Sequence, residues 1–334
     1  MLSGINALVI GVGYFGRHHA RILAALNAKD IPTIPVIENL IVTRTRHDRA
    51  ESVAASIRNS SSCSVKAVIG AAVGNAPQLV SVLKQYRPGL TIITARDKRI
   101  GDSIHAEYTI HALKYGAVLC EKPFSHASGD GSSLRYFDDL CTFENARFFG
   151  LELPLAVVSR DMMNDPNLRR IIRQARRLEF YWEAWDRGEN NIIDDLALHP
   201  WSLLPPTVNT NIQKVEDCGQ SARILINLYN QQTGRGLPCV MTLTVGPGFR
   251  GLMVDDVTIG IKSDASRIQL IRLNQPLEKA AKTASKLPTG KIVLEVDNPL
   301  EKNIVAALCR RPIVGLRRTY ESQLFLEALH GYPA

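Results

Sequence analysis

The chain has 334 residues, 45% of them apolar and 22% charged, which suits a soluble protein of two domains with a sizeable core. Its net charge of +8 comes from scattered lysines and arginines without a run of five, so it points to anionic small ligands rather than to a nucleic-acid surface. Six cysteines stand far apart with no C-x-x-C pair, as expected of a reducing cytoplasm, and Gly11, Gly13, Gly16 and Arg17 interrupt the apolar N-terminus, which excludes a signal peptide or a membrane span there.

Taken in order, Ala7 to Ile10 is a short, wholly apolar run, as in a parallel strand covered on both faces. Gly11-Val12-Gly13-Tyr14-Phe15-Gly16 follows at once, and a helical pattern runs from Arg17 to about Ala28. A G-x-G-x-x-G between strand and helix predicts dinucleotide binding. The first glycine permits the tight turn, the second lets a pyrophosphate reach the backbone, and the third lets helix and strand pack closely. The cofactor-binding set therefore begins with Gly11, Gly13, Tyr14, Phe15 and Gly16, while His18 and His19 are expected to be packing or surface residues. The second strand has two candidates, Thr33 to Glu38 and Asn39 to Thr43; Glu38 lies near the spacing of an acid that binds the ribose of NAD. Val65 to Ala72 and Leu90 to Ala95 read as strands three and four, with a helix at Pro77 to Tyr86 between them. Ligands lie beyond strand C-termini in such sheets, so Thr94, Ala95 and Arg96 are expected to face the cofactor. A helix is expected from about Ser103 to Tyr115, then a buried strand at Ala117 to Cys120 ending in Glu121-Lys122-Pro123.

Beyond residue 124 the pattern changes. Helices are expected near 132–143, 156–163 and 168–177, with a strand at 147–151. Alternating runs then mark strands at Leu178 to Ala184, Ala222 to Tyr229, Pro238 to Val245, Asp255 to Lys262 and Arg267 to Arg272, with closing helices at Asp297 to Leu308 and Tyr320 to Leu329. Strands in succession without helices predict an antiparallel sheet. The fold class is thus α/β: an N-terminal doubly wound Rossmann domain over 1–123 and an α+β domain over 124–334 with a large, open, mainly antiparallel sheet. Such an open sheet suggests a homodimer or homotetramer.

His105-Ala106-Glu107, Ala112-Leu113, Gly116 and Glu121-Lys122-Pro123, together with the glycine motif and Asp195-x-x-x-His199, resemble the Gfo/Idh/MocA family of nicotinamide-dependent oxidoreductases. The resemblance implies Lys122 and His199 as catalytic groups with Asp195 in support, and it adds Glu121 and Lys122 to the cofactor set. His199 suits proton transfer near neutrality, the Lys122 ammonium suits charge developing on a substrate oxygen, and Asp195, four residues before His199, shares its helical face. Two positions depart from the family pattern: Ala197 replaces a glycine, and Ser202 stands where many relatives carry Asp. In the family's register Arg44-Thr45-Arg46 follows strand two, with Arg44 in place of the acid. That trio suits a 2′-phosphate, so the expected cofactor is NADP, with NAD the choice if Glu38 meets the ribose. The substrate class implied is a sugar, cyclitol or similar polyol; an imine or other non-sugar reductase, or a non-catalytic NAD(P)-binding regulator, are the alternatives. No metal site, membrane or nucleic-acid partner is expected.

Overall fold

The computed structural model describes residues 4–95, 103–184, 192–205, 208–230, 234–264, 266–283 and 290–332. The chain divides into two compact units: residues 1–126, 133–152 and 300–323 form the first, and 127–132, 153–299 and 324–334 the second.

The first unit alternates strand and helix: β1 (Ile5–Ile10), α1 (Tyr14–Leu26), β2 (Ile37–Arg44), α2 (His47–Arg58), β3 (Ala67–Ala72), α3 (Ala76–Tyr86), β4 (Leu90–Ile93), α4 (Ser103–Ala112), β5 (Ala117–Glu121), α5 (Arg135–Cys141) and β6 (Phe149–Glu152). All six strands are parallel, in the order β3-β2-β1-β4-β5-β6. The order reverses between β1 and β4, which opens a crevice at the strand C-termini. The strands are mainly apolar because helices cover both faces: Ala7, Val9, Leu40, Val42, Ile92 and Leu119 are buried with Leu23 and Leu26 of α1 and Val53 and Ile57 of α2. Near the C-terminus, α11 (Pro299–Leu308) adds Ile304, Ala307 and Leu308 to the same core. Sequence patterning placed the strand at 147–151 beyond the first domain; here β6 is the sixth strand of its sheet, because it pairs with β5 from Val118–Phe149 to Glu121–Glu152.

The second unit carries α6 (Pro154–Asn164), α7 (Pro166–Gln174), β7 (Leu178–Ala184), α8 (Ile192–Leu196), α9 (Leu198–Ser202), β8 (Val208–Asp217), β9 (Ser221–Asn230), β10 (Gly236–Val245), β11 (Arg250–Val254), β12 (Val257–Ser263), β13 (Arg267–Leu273), α10 (Leu277–Lys282) and β14 (Lys291–Asp297), with the last part of α12 (Leu316–His330). Its eight strands run β14-β13-β12-β11-β7-β10-β9-β8, all antiparallel except β7 beside β10. One face buries Phe180, Trp182, Ile224, Ile226, Met241 and Leu243. Part of the other face is covered by α10: Leu277, Ala280 and Ala281 pack with Phe249 and Ile271 over Tyr181 and Met253. Toward β9 that face stays open, with Arg223, Asn227 and Tyr229 exposed.

Three strands, β8, β11 and β14, escaped the sequence reading. The expected strand at 255–262 is in fact the second arm of a hairpin, since Asp255 turns the chain at φ 52° and accepts hydrogen bonds from the Arg176 and Arg177 amides at 2.8 and 2.9 Å. Among the described residues no helix is long and apolar enough to cross a membrane.

Candidate functional site

In the first unit the glycine turn behaves as its sequence requires. Gly11 sits at φ +86°, and a Cβ there would lie 2.5 Å from the Ala95 backbone. A Cβ on Gly16 would meet the Gly11 carbonyl at 2.5 Å, so α1 closes onto the turn only with glycine. Gly13 differs: a Cβ there meets nothing nearer than 3.9 Å, so the room in front of it is not filled by protein. Thr94 donates its hydroxyl to the Gly11 carbonyl at 2.9 Å, and the Gly11 amide donates to Thr43 Oγ1 at 3.3 Å, which brace the turn between β4 and β2.

A cleft of about 820 Å³ opens over this turn. Arg44 and Thr45 line it beyond β2, Gly11 to Gly16 in the middle, and Thr94, Ala95 and Glu121 beyond β4 and β5. Val73 and Gly74 after β3, and Ile104 and Tyr108 of α4, line it too. These four were missed, although the rule that picked Thr94 and Ala95 would have reached Val73 and Gly74 had it been applied to strand three.

The ambiguity over the second strand resolves. β2 is one strand of eight residues with Glu38 near its start and Arg44 at its C-terminal end. Glu38 therefore stands at the wrong end of the sheet to reach a ribose in the crevice. The Arg44 guanidinium donates to the Val12 carbonyl at 2.9 Å, which lays it against the glycine turn. Arg46 is not in the lining; it makes a two-pronged ion pair with Asp48 at the start of α2, on the exposed surface. Arg96 lies outside the described residues.

The cleft fits a dinucleotide. Gly13 caps α1 without a side-chain bond, and no acidic residue occupies the first turn, so its amides face a place suited to an anion. The free space at Gly13 is the approach a pyrophosphate needs.

Glu121 ends β5 and Lys122 follows it, both buried. His105 of α4 donates from Nδ1 to the Pro123 carbonyl at 2.9 Å, and Gln323 both donates to the Ser125 carbonyl at 3.1 Å and accepts from its amide at 3.3 Å. The segment carrying Lys122 is thereby pinned on its far side by two buried side chains.

His19, expected to be a packing or surface residue, is fully buried on α1 and pairs through Nε2 with the Glu152 carboxylate at the end of β6. Its Nδ1 donates to the Phe15 carbonyl at 3.0 Å. Burial alone would lower its pKa, but the charge and hydrogen bond of Glu152, with help from Glu121, outweigh that and raise it.

In the second unit Asp195 belongs to α8 and His199 to α9, and the helical course continues through Ala197, whose amide donates to the Ile193 carbonyl at 2.9 Å. The His199 ring stacks on the buried Trp182 indole with centroids 5.7 Å apart and 9° between planes. From sequence, Trp182 was placed only within the alternating strand at Leu178 to Ala184. Next to Asp195, Asp194 accepts from His330 Nε2 at 2.7 Å. That hydrogen bond, offset in part by burial, raises the His330 pKa. The structure thus brings together the glycine turn, Arg44, Thr45, Thr94, Ala95 and Glu121 in one cleft, with Lys122 directly after Glu121; Asp195 and His199 stand in the other unit.

Comparison with known proteins agrees with this geometry. The model of the family described as "Oxidoreductase family, NAD-binding Rossmann fold" (GFO_IDH_MocA) matches residues 5–135. No curated protein matches the chain. Among solved structures, an NAD binding oxidoreductase from Klebsiella pneumoniae is 15% identical, covering 98% of this chain and 96% of that one with a TM-score of 0.59. Levoglucosan dehydrogenase in complex with NADH and levoglucosan is 12% identical, with the same coverage of 98% and 96% and a TM-score of 0.63. An oxidoreductase domain protein from Kribbella flavida is 13% identical over 98% and 96%, at a TM-score of 0.62. At these identities the likeness is one of fold, and it extends over nearly the full length of the chain. The sequence match to the NAD-binding oxidoreductase family covers residues 5–135, the first domain, and the likeness of fold carries on through the rest of the chain.

Proposed function

We propose that the protein is an NADP-preferring oxidoreductase that moves a hydride between nicotinamide and a sugar, cyclitol or similar polyol, or the matching carbonyl compound. The observation that carries this reading is the cleft along β1 to β5. An uncapped helix N-terminus, a glycine with open space before it, and Arg44 at the end of β2 stand there in the order that pyrophosphate and adenosine ribose require. The nicotinamide, when bound, supplies the hydride chemistry. Arg44 and the Thr45 hydroxyl would hold the 2′-phosphate; Arg46, already paired with Asp48, has a smaller part than its sequence position suggests. Lys122 would stabilise negative charge on the substrate oxygen, and His199 would take up or return the hydroxyl proton, with Asp195 orienting the imidazole or a substrate hydroxyl. Stacking on Trp182 keeps the His199 ring in one plane, so that proton is exchanged along one direction. The solved levoglucosan dehydrogenase complexes, with levoglucosan in one and L-sorbose in another, support a sugar-like substrate.

The test is a titration with NADP and NAD followed by a panel of polyols, carbonyls and imines. Dinucleotide binding with turnover of a polyol or its carbonyl partner is expected. Turnover only of imines moves the substrate class, and tight binding without turnover of any panel member favours a non-catalytic regulator. The open part of the second sheet's outer face, over β8 to β10, is proposed to pair with a second copy. Light scattering at micromolar protein should then give a dimer or tetramer, and monomer alone would remove that expectation.

A further inference from the structure

Between α1 and α2 lies a smaller cavity of about 210 Å³, lined by Arg17 and Arg21 of α1 and by Ser52, Val53, Ser56 and Ile57 of α2. It shares no lining residue with the cleft over the glycine turn. Helical spacing explains how its four polar side chains converge. Arg17 and Arg21 stand at i and i+4, as do Ser52 and Ser56, so each pair lies on one face of its helix and both pairs line the same cavity. Val53 and Ile57, which are buried, form an apolar floor.

The charge here is one-sided. Two guanidiniums at this spacing repel each other, and a carboxylate three or four residues away on the same helix would offset them. Helix α1 has no acidic residue at all. The acids of α2 are engaged elsewhere: Asp48 pairs with Arg46, while Glu51 accepts from Arg58 with one oxygen and from the Gly70 amide of β3 at 3.2 Å with the other. Among the described residues the side chains of Arg17, Arg21, Ser52 and Ser56 make no hydrogen bond and no ion pair. All four donate hydrogen bonds and none carries negative charge, which is what a tetrahedral oxyanion asks of its site. Size narrows the ligand further. Pockets for drug-sized molecules run to about 300–1,000 Å³, so this one suits a phosphate group with at most a small substituent.

We infer that Arg17, Arg21, Ser52 and Ser56 form a phosphate-binding site on the flank of the first unit, distinct from the dinucleotide cleft. Its ligand is inorganic phosphate or the phosphate of a small monoester. The dianion offsets both guanidiniums, takes two-pronged hydrogen bonds from them and single ones from the serine hydroxyls. Bound there, it ties α1, whose N-terminus carries the glycine turn, to α2, which starts shortly after Arg44. This inference does not depend on what occupies the larger cleft.

The experiment measures binding of inorganic phosphate and of glycerol phosphate to the full chain by calorimetry at constant ionic strength, with and without saturating NADP. Phosphate also suits the glycine turn, and NADP is there to occupy that place. One phosphate per chain is expected to bind with a dissociation constant on the order of 1 mM or tighter, and to persist in NADP. Arg17→Gln/Arg21→Gln should weaken it at least about tenfold and Ser52→Ala/Ser56→Ala about threefold, with melting temperatures in phosphate-free buffer close to wild type. Both ligands support the site, and the tighter one names the source, free phosphate or an organic phosphate. Binding abolished by NADP places the phosphate on the glycine turn and overturns the inference. So does undiminished binding by the double arginine variant, or no saturation up to about 10 mM. If that variant does not fold, Arg21→Gln alone should weaken binding at least about threefold, and equal affinity overturns the inference. A chain that binds phosphate through Arg17 and Arg21 but does not bind NADP overturns the reading of the cleft and supports this site.

Discussion

The two sheets hold their candidate site residues in opposite ways. In the first, both faces are covered, the strands are mainly apolar, and the residues lining the cleft sit at or just beyond strand C-termini: Arg44, Thr94, Ala95 and Glu121. In the second, the strands alternate, and the residues of interest sit on short helices laid over the buried face, where Trp182 of β7 meets His199 of α9. A parallel sheet reports its site through chain order, since each strand end enters the same crevice. An antiparallel sheet with appended helices carries no such rule, and its site residues are found only through a motif.

The difference can be broken or sharpened by mutation, and the largest effect belongs to the proposed chemistry. Lys122→Ala, at an edge of the first sheet, and His199→Ala, on a helix over the second, should each lower kcat by about a hundredfold or more while NADP still binds. Steady-state kinetics with a parallel binding titration would show this; wild-type turnover in either removes that residue from the mechanism.

Next come the glycines, which separate folding from binding inside one turn. Gly11→Ala forces a side chain into a left-handed conformation and against Ala95, and should cost about 1–3 kcal/mol of stability. Gly13→Ala has room for its methyl group, so its melting temperature should stay close to wild type while NADP affinity falls at least about tenfold. Calorimetry beside a cofactor titration checks both, and equal behaviour of the two variants would contradict the distinction.

Cofactor choice follows. Arg44→Ala should remove most of an NADP margin over NAD of about tenfold, since charge-assisted hydrogen bonds contribute roughly 1.5–3 kcal/mol. Glu38→Ala should leave both affinities alone, because Glu38 lies at the opposite end of β2.

The smallest effect concerns the second unit. The Asp194–His330 tie raises the histidine's pKa above 6.5, so its stabilisation is complete below that pH and fades as pH rises through the raised value. Asp194→Asn should therefore lower stability by about 0.5–1 kcal/mol in mild acid and by nothing measurable in alkali. Thermal melts of the two proteins across pH would expose the trend, and a gap that widens with pH would reverse the assignment.

The glycine turn was legible because its sequence states a steric demand that few other arrangements share, and Glu121-Lys122 because a strand end lies in register with a motif. Arg44 was legible only through family resemblance; the two strand candidates straddled one β2 running from Ile37 to Arg44, and periodicity does not tell where a buried strand begins. The His19–Glu152 pair was illegible because its partners are 133 residues apart and meet only after β6 joins the first sheet. Strand β11 was missed and the strand after it was begun too early, at Asp255, because the turn between β11 and β12 is two acidic residues, Asp255 and Asp256, without glycine or proline to mark it. Helix α10 is six residues long, too short for a helical period to stand out.

The bond from Arg44 to the Val12 carbonyl has a thermodynamic consequence for recognition. A free arginine side chain carries about 2 kcal/mol of rotamer entropy, which a ligand must normally quench on arrival. Here folding has already confined the guanidinium against the glycine turn, and in the proposed reading its remaining N–H groups would meet phosphate oxygens without further ordering. Selectivity from such a residue is preorganised: the unfavourable ordering entropy is charged to folding, and the contact should discriminate through a favourable enthalpy with little opposing entropy of its own.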